Sequence, residues 1–301
     1  MNVLSLFDGM SCGMIALNRL GVDVTSYFAS EVDNNAIKVS KDNWPNIIHI
    51  GDVTKVSYKD GKLYTENGNY DVKIDLIIGG SPCQDFSSAR AMGNNGETPK
   101  GLEGSKSSLF YHYLRILEEV KEYNCSVKWL LENVRMKKNY KDDLDKYLGV
   151  EGVLINSMDF SYQRRPRMYW TNLKIHPWED RGVSFQDYKE SGEGLEKYKV
   201  NKTPSRVRMW SDGKGVGNSN SCANVTNSDK IYCLTTKQDR SPNSGLVEYE
   251  DFCRYLTRAE LEQAQTVPVG YTNILSYNQA QAVLGNGWTV DVICHILKDL
   301  V

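Results

Sequence analysis

Cys83 follows Pro82 in GGSPCQDFS, residues 79–87, directly after a strand-length apolar run. Proline restrains the backbone beside it, and the neighbours are Gly, Ser and Gln rather than core formers. The sulfur therefore reads as an aimed nucleophile more readily than as an inert core thiol. Glu132 and Asn133 end a second apolar run, LLENV, where a glutamate serves either as a buried ion-pair partner or as a general acid near the thiol. Arg164, Arg165 and Arg167 stand beside Gln163 in SYQRRPRMYW. On a plain surface they would be solvated; at a site they hold a base or a phosphate. Gly9 and Gly13 in LFDGMSCGM lie between the first strand and the first helix, which suits either a tight structural turn or a ligand approaching the backbone. The turn matches neither GxGxxG nor a phosphate loop ending in GK[ST]. Glu31 and Asp52 (in GDV) follow the second and third strands, as helix caps or as acceptors for ribose hydroxyls or an exocyclic amine. Together, the glycine turn and two acids with little provision for phosphate suit S-adenosylmethionine better than NAD or ATP.

The elements that must position these residues alternate. Strand-length runs at 3–6, 26–31, 47–50, 74–78, 127–131 and 153–156 are interleaved with helix patterns at 13–20, 34–43 and 108–123. Such alternation predicts an α/β fold with a mostly parallel sheet covered on both faces. Residues 55–72, with Asp60-Gly61 and Asn67-Gly68 at turn positions, read as a surface hairpin insertion. Residues 79–107 are glycine-rich and too long for an ordinary connection, and with Cys83 at their root they read as a lid. From 173 to 251 the alternation stops. Residues 197–240 carry a net charge of +6 while the rest of the chain carries −8, so the segment reads either as a solvated region or as a lobe facing a polyanion. Thr257 with Glu260 forms a capping-box signal, and helix patterns follow at 278–284 and 289–300. The expected organisation is a core at 1–172, a lobe at 173–251 and helices returning to the core at 252–301.

Composition narrows the class further. The 301 residues are 40% hydrophobic and 25% charged with a net charge of −2, which fits a globular domain with a smaller lobe and excludes disordered or fibrous classes. No run approaches the roughly 18–20 apolar residues of a membrane helix, and the first residues lack the pattern of a secretory signal, so an intracellular, cytoplasmic protein is expected. Seven scattered cysteines without a CxxC pair, and four histidines, predict neither a zinc site nor a disulfide framework.

In order, LFDG, SE, GDV, GGSPC, LLENV, QRRPR and GNGW resemble the DNA (cytosine-5) methyltransferases over nearly the whole chain. ASEVDNNAI, GLEGSKSSLFYHYLRIL and GNGWTVDVICHIL are especially similar to the catalytic domain of the de novo branch and its phage and bacterial relatives. The resemblance implies a Rossmann-like S-adenosylmethionine-dependent methyltransferase with a target-recognition lobe. Cys83 would be the nucleophile, Glu132 would meet base N3, and Arg165 and Arg167 would assist. Phe7, Asp8, Gly9, Glu31, Asp52, Pro82, Asn286 and Trp288 would hold S-adenosylmethionine, leaving S-adenosylhomocysteine as product. Gln84, Ser87, Gln163, Thr236, Lys237 and Arg240 would contact double-stranded DNA around a flipped cytosine. Lys237 stands where the family carries arginine, which loses the fixed bidentate fork for guanine and leaves a CG context open. A stand-alone prokaryotic or phage-type enzyme is implied; monomer and homodimer are both open, and the cysteine and histidine pattern gives no reason to expect a metal. A transfer-RNA methylating relative would share the cysteine and glutamate, but the long lobe argues against it. Intact Cys83, Glu132, Arg165 and Arg167 argue against a silent DNA-binding paralogue. The chain has no PP dipeptide, which an amino-group methyltransferase would show in [DNS]PP[YFW].

Overall fold

Fully buried apolar runs form the middle of a parallel sheet: Val3, Leu4 and Leu6 in one strand, and Leu76, Ile77 and Ile78 in its neighbour. The computed structural model describes residues 1–82, 108–201, 203–204, 224–238, 244–249 and 252–301. The chain divides into two units. The first comprises Met1–Ile155, Pro166–His176 and Ile293–Val301; the second comprises Asn156–Arg165 and Pro177–Val292.

In the first unit the chain runs β1 (Asn2–Leu6), α1 (Cys12–Arg19), β2 (Ser26–Ser30), α2 (Asn34–Asn43) and β3 (Ile48–His49). It continues through β4 (Ser57–Lys59), β5 (Lys62–Thr65), β6 (Gly68–Asp71), β7 (Leu76–Gly80), α3 (Ser108–Tyr123), β8 (Lys128–Val134), α4 (Lys138–Leu148), β9 (Val153–Asn156) and β10 (Pro166–Thr171). Seven strands form one sheet in the order β3-β2-β1-β7-β8-β10-β9. The β3-β2, β2-β1, β1-β7 and β7-β8 pairs are parallel, and β10 is antiparallel to β8. The strand order reverses beside β1, which opens a crevice at the carboxyl ends of β1 and β7. Asp33 caps α2 by accepting from the Asn35 and Ala36 amides, and the helix stops before Pro45.

Two local expectations change. The insertion is a three-stranded antiparallel sheet, β4-β5-β6, rather than a simple surface hairpin. Its Tyr58 and Leu63 are buried in the same core as Ile74, Val120 and Trp129, because β4 lies along α3. There Tyr58 N donates to Glu119 Oε2 at 2.7 Å and Arg115 Nη2 donates to Val56 O at 2.7 Å. Helix α4 has no counterpart among the predicted elements. KNYKDDLDKYL is densely charged, and its apolar stripe is only Tyr140, Leu144 and Leu148, spaced four apart.

The second unit holds β11 (Lys199–Val200), β12 (Leu246–Glu248) and β13 (Cys253–Tyr255), paired antiparallel in the order β11-β13-β12. Helices α5 (Arg258–Ala264) and α6 (Tyr277–Asn286) follow, and the division between units falls within α7 (Val290–Leu297). The borders therefore depart from those composition suggests: α5 and α6 group with the lobe, and only Ile293–Val301 groups with the core. The Thr257–Glu260 capping box is present, with a second formed by Ser276 and Gln279. Glu260 also binds Arg254 Nη2 at 2.7 Å, and both side chains are fully buried.

Candidate active site

The β1 turn reverses tightly, with Phe7, Gly9 and Ser11 all in the left-handed region at φ near 60°. Asp8 makes this possible. Its carboxylate lies beneath the turn, accepting from Ser5 Oγ at 2.6 Å, Tyr27 OH at 2.7 Å and Ser11 Oγ at 2.5 Å. Burial pushes its pKa up to about 6 against these hydroxyl contacts. The polar chain extends from Ser11 Oγ to Ser40 Oγ at 2.6 Å and on to His49 Nε2 at 3.4 Å. Asp8, expected to touch the cofactor, instead braces the turn from inside, because its carboxylate is enclosed by hydroxyls of its own unit.

Glu31 follows β2 and receives three backbone amides: Gly9 N at 2.8 Å on Oε2, and Val32 N at 2.7 Å and Asp33 N at 2.8 Å on Oε1. This holds the carboxylate rigidly at the crevice with lone pairs remaining for hydroxyl donors. A Cβ placed on Gly9 would meet nothing within 4 Å, so the turn has open space beside it. Asp52 is half-exposed after β3 and caps a short turn by accepting from Thr54 N at 2.9 Å. Carboxylates following two paired strands, with lone pairs for hydroxyl donors, and an open glycine turn are a set that the hydroxyls of S-adenosylmethionine would fit.

Next along the sheet, the exits of β7 and β8 are tied together. Asn133 Nδ2 donates to Ser81 Oγ at 2.9 Å, so β8 holds the residue before Pro82. Glu132 pairs in register with Gly80, three residues before Cys83. Antiparallel β10 brings Arg167 Nε to 3.0 Å from Glu132 Oε1, with both side chains nearly buried. Cys83, Gln84, Ser87 and Arg240 lie outside the described residues, as do residues 83–107 of the 79–107 segment expected to be a lid.

In the second unit, Arg165 is nearly buried. Its Nη1 donates to Leu234 O at 3.2 Å, and its Nη2 donates to Gly285 O at 3.0 Å and Gly287 O at 2.8 Å. These contacts tie down the chain around Leu234 and the end of α6. Gln163 is wholly buried: its Oε1 accepts from Leu234 N at 2.8 Å and its Nε2 donates to Ala264 O at 3.0 Å. It therefore braces the lobe rather than facing DNA as expected, because both ends of its amide are taken internally. Thr236 and Lys237 are exposed beside them. Gly285 lets that segment approach, since a Cβ there would stand 2.6 Å from the Thr235 carbonyl. Asn286 ends α6 and is exposed, and Trp288 is half-buried two residues on.

Residues 1–171 match the family model of the C-5 cytosine-specific DNA methylases. The chain belongs to this family. The DNA (cytosine-5)-methyltransferase DRM1A of Oryza sativa subsp. japonica is 35% identical over 133 residues, 42% of this chain and 26% of that protein. The orphan methyltransferase M.Rho11sI of Bacillus phage rho11s is 35% identical over 121 residues, 40% of this chain and 21% of that protein. The matched stretch thus spans only about a quarter of such relatives. Among solved structures, the Entamoeba histolytica methyltransferase EhMeth superposes with a TM-score of 0.72 at 15% identity, covering 100% of this chain and 99% of its own. S. pombe Dnmt2 methyltransferase gives 0.67 at 16% identity, covering 100% and 99%. At such identities the likeness concerns the fold alone, a methyltransferase fold of the α/β class. Among the described residues, this member of the family has no helix long and apolar enough to cross a membrane, and no cluster of His, Cys, Asp and Glu to hold a metal ion.

Proposed function

We propose that this chain transfers a methyl group from S-adenosylmethionine to C5 of a cytosine flipped out of duplex DNA, through a covalent bond between Cys83 and C6. The observation that carries the proposal is the buried Glu132 carboxylate, 3.0 Å from Arg167 Nε and one strand from the β7 exit that leads to Cys83.

Cytosine C5 becomes nucleophilic once a thiolate adds at C6 and turns the ring into an enamine. Glu132 at N3 stabilises the charge that develops there, an interaction strongest in the transition state. Arg167 orients Glu132. Cys83 leaves when the C5 proton is removed, which restores the aromatic ring. When bound, S-adenosylmethionine would supply an electrophilic sulfonium methyl; Glu31 would accept from its ribose hydroxyls, and Phe7, Gly9, Asp52, Pro82, Asn286 and Trp288 are the other residues that would hold it. Flipping the base costs a few kcal/mol. Thr236 and Lys237, with Gln84, Ser87 and Arg240, would read the duplex; Gln163 acts as a brace of that lobe, and Arg165, expected to assist near the base, has its guanidinium on the Leu234, Gly285 and Gly287 carbonyls of its own unit. The basic stretch at 197–240 supports a polyanionic partner.

An oligonucleotide carrying 5-fluorocytosine, incubated with the protein and S-adenosylmethionine, should be trapped irreversibly on Cys83. Cys83→Ser should abolish methylation while S-adenosylmethionine binding persists, and bisulfite sequencing should report the flanking context. Absence of any adduct on every duplex offered refutes the proposal. Methyl incorporation into transfer RNA in place of duplex DNA would move the substrate to the other nucleic acid.

A further inference from the structure

The turn between β5 and β6 reaches the end of β3. Glu66 Oε2 accepts from Asp52 N at 3.0 Å, and its Oε1 receives Lys55 Nζ at 3.3 Å. Asn67 Nδ2 donates to His49 O at 2.9 Å, and from the β2 side Ser30 Oγ donates to Gly51 O at 2.8 Å. Gly51 sits at φ 82°, and a Cβ there would stand 2.7 Å from Glu66 Oε2. The carboxylate thus lies directly against the Gly51–Asp52 peptide, which only glycine allows. Asp52 Oδ1 accepts from Thr54 N at 2.9 Å, which fixes the carboxylate relative to the peptide that Glu66 holds.

We propose that Glu66 is a positioning residue for the cofactor: the inserted sheet clamps the Gly51–Asp52 peptide from outside the main sheet and so sets the Asp52 carboxylate toward S-adenosylmethionine. This rests on the reading of Asp52 as a cofactor ligand. The clamp is a side chain on a peptide amide, so it survives in any variant that keeps an acceptor. Lys55 neutralises Glu66, which would otherwise repel the nearby Asp52 carboxylate.

Calorimetric titration of the full chain with S-adenosylmethionine, combined with steady-state kinetics, tests this. Glu66→Ala should raise Kd and the KM for S-adenosylmethionine severalfold, because binding must then order the Asp52 peptide that Glu66 otherwise holds in advance. The kcat at saturating cofactor, the KM for DNA and the urea midpoint should stay near wild type, because Glu66 is exposed. Glu66→Gln, which keeps the acceptor, should recover most of the affinity. In an Asp52→Ala background, Glu66→Ala should add little. Unchanged affinity in Glu66→Ala, or a loss matched by falls in kcat and in the urea midpoint, overturns the proposal while leaving the cofactor reading intact. A wild-type chain that binds no S-adenosylmethionine, or an Asp52→Ala variant that binds it normally, overturns both.

Discussion

Replacing Asp8 by Asn should remove a pH dependence of stability that the wild-type chain carries. The Asp8 carboxyl is enclosed by Ser5, Ser11 and Tyr27, and burial raises its pKa from 3.8 to about 6. Between those values the folded protein holds a proton that the unfolded chain has lost. The protonated carboxyl therefore contributes stability that is full below about pH 4 and disappears as the pH rises through about 6. At about 1.36 kcal/mol per pH unit, the difference amounts to about 3 kcal/mol. Asparagine has the shape of the protonated acid. Its Oδ1 can still accept from Ser5 and Tyr27, while its Nδ2 donates to Ser11 Oγ, whose own proton turns to Ser40 2.6 Å away. Urea unfolding of both proteins from pH 4 to 8 gives the difference directly, with the other carboxylates cancelling. The variant should gain about 3 kcal/mol relative to wild type between pH 4 and 7, with no further change to pH 8. A pH-independent difference would show that Asp8 titrates normally and that the buried hydroxyl box does not govern it.

Three further outcomes follow from the described contacts. Glu132→Gln should lower kcat by about 10²–10⁴-fold, and Arg167→Ala should lower the same parameter less; in a double-mutant cycle the two effects should be markedly non-additive, since the side chains meet at 3.0 Å. Arg254→Ala should destabilise the second unit by about 3–5 kcal/mol in urea unfolding, because it leaves Glu260 charged and fully buried; a loss below about 1 kcal/mol would contradict that burial. Gly285→Ala should push the Thr235–Thr236 backbone off α6 and weaken DNA binding in a filter or fluorescence assay, while S-adenosylmethionine affinity is kept.

Much of this protein is written locally. Strand-length apolar runs followed by turn chemistry place Glu31, Asp52 and Cys83 after strands and Glu132 near the end of one, and helix signals such as Thr257 with Glu260 are satisfied within four residues. These features depend on near neighbours in the chain, so periodicity and capping rules find them. Helix α4 is not legible locally because its charge masks a three-residue stripe, and the insertion reads as a surface hairpin because its two inward residues meet α3, far along the chain.

The partners of the polar groups were decided only in three dimensions. Arg165 and Arg167 are two residues apart in one motif, yet one guanidinium binds carbonyls around Leu234 and Gly285 while the other reaches Glu132. Asp8 and Glu31 are both acids after strands, yet one is enclosed by hydroxyls and the other is held open by three backbone amides. A residue's type announces what it is able to bond. Which atom comes within 3 Å of it depends on strand register and on chain segments brought together from tens of residues away, and local sequence carries no record of either.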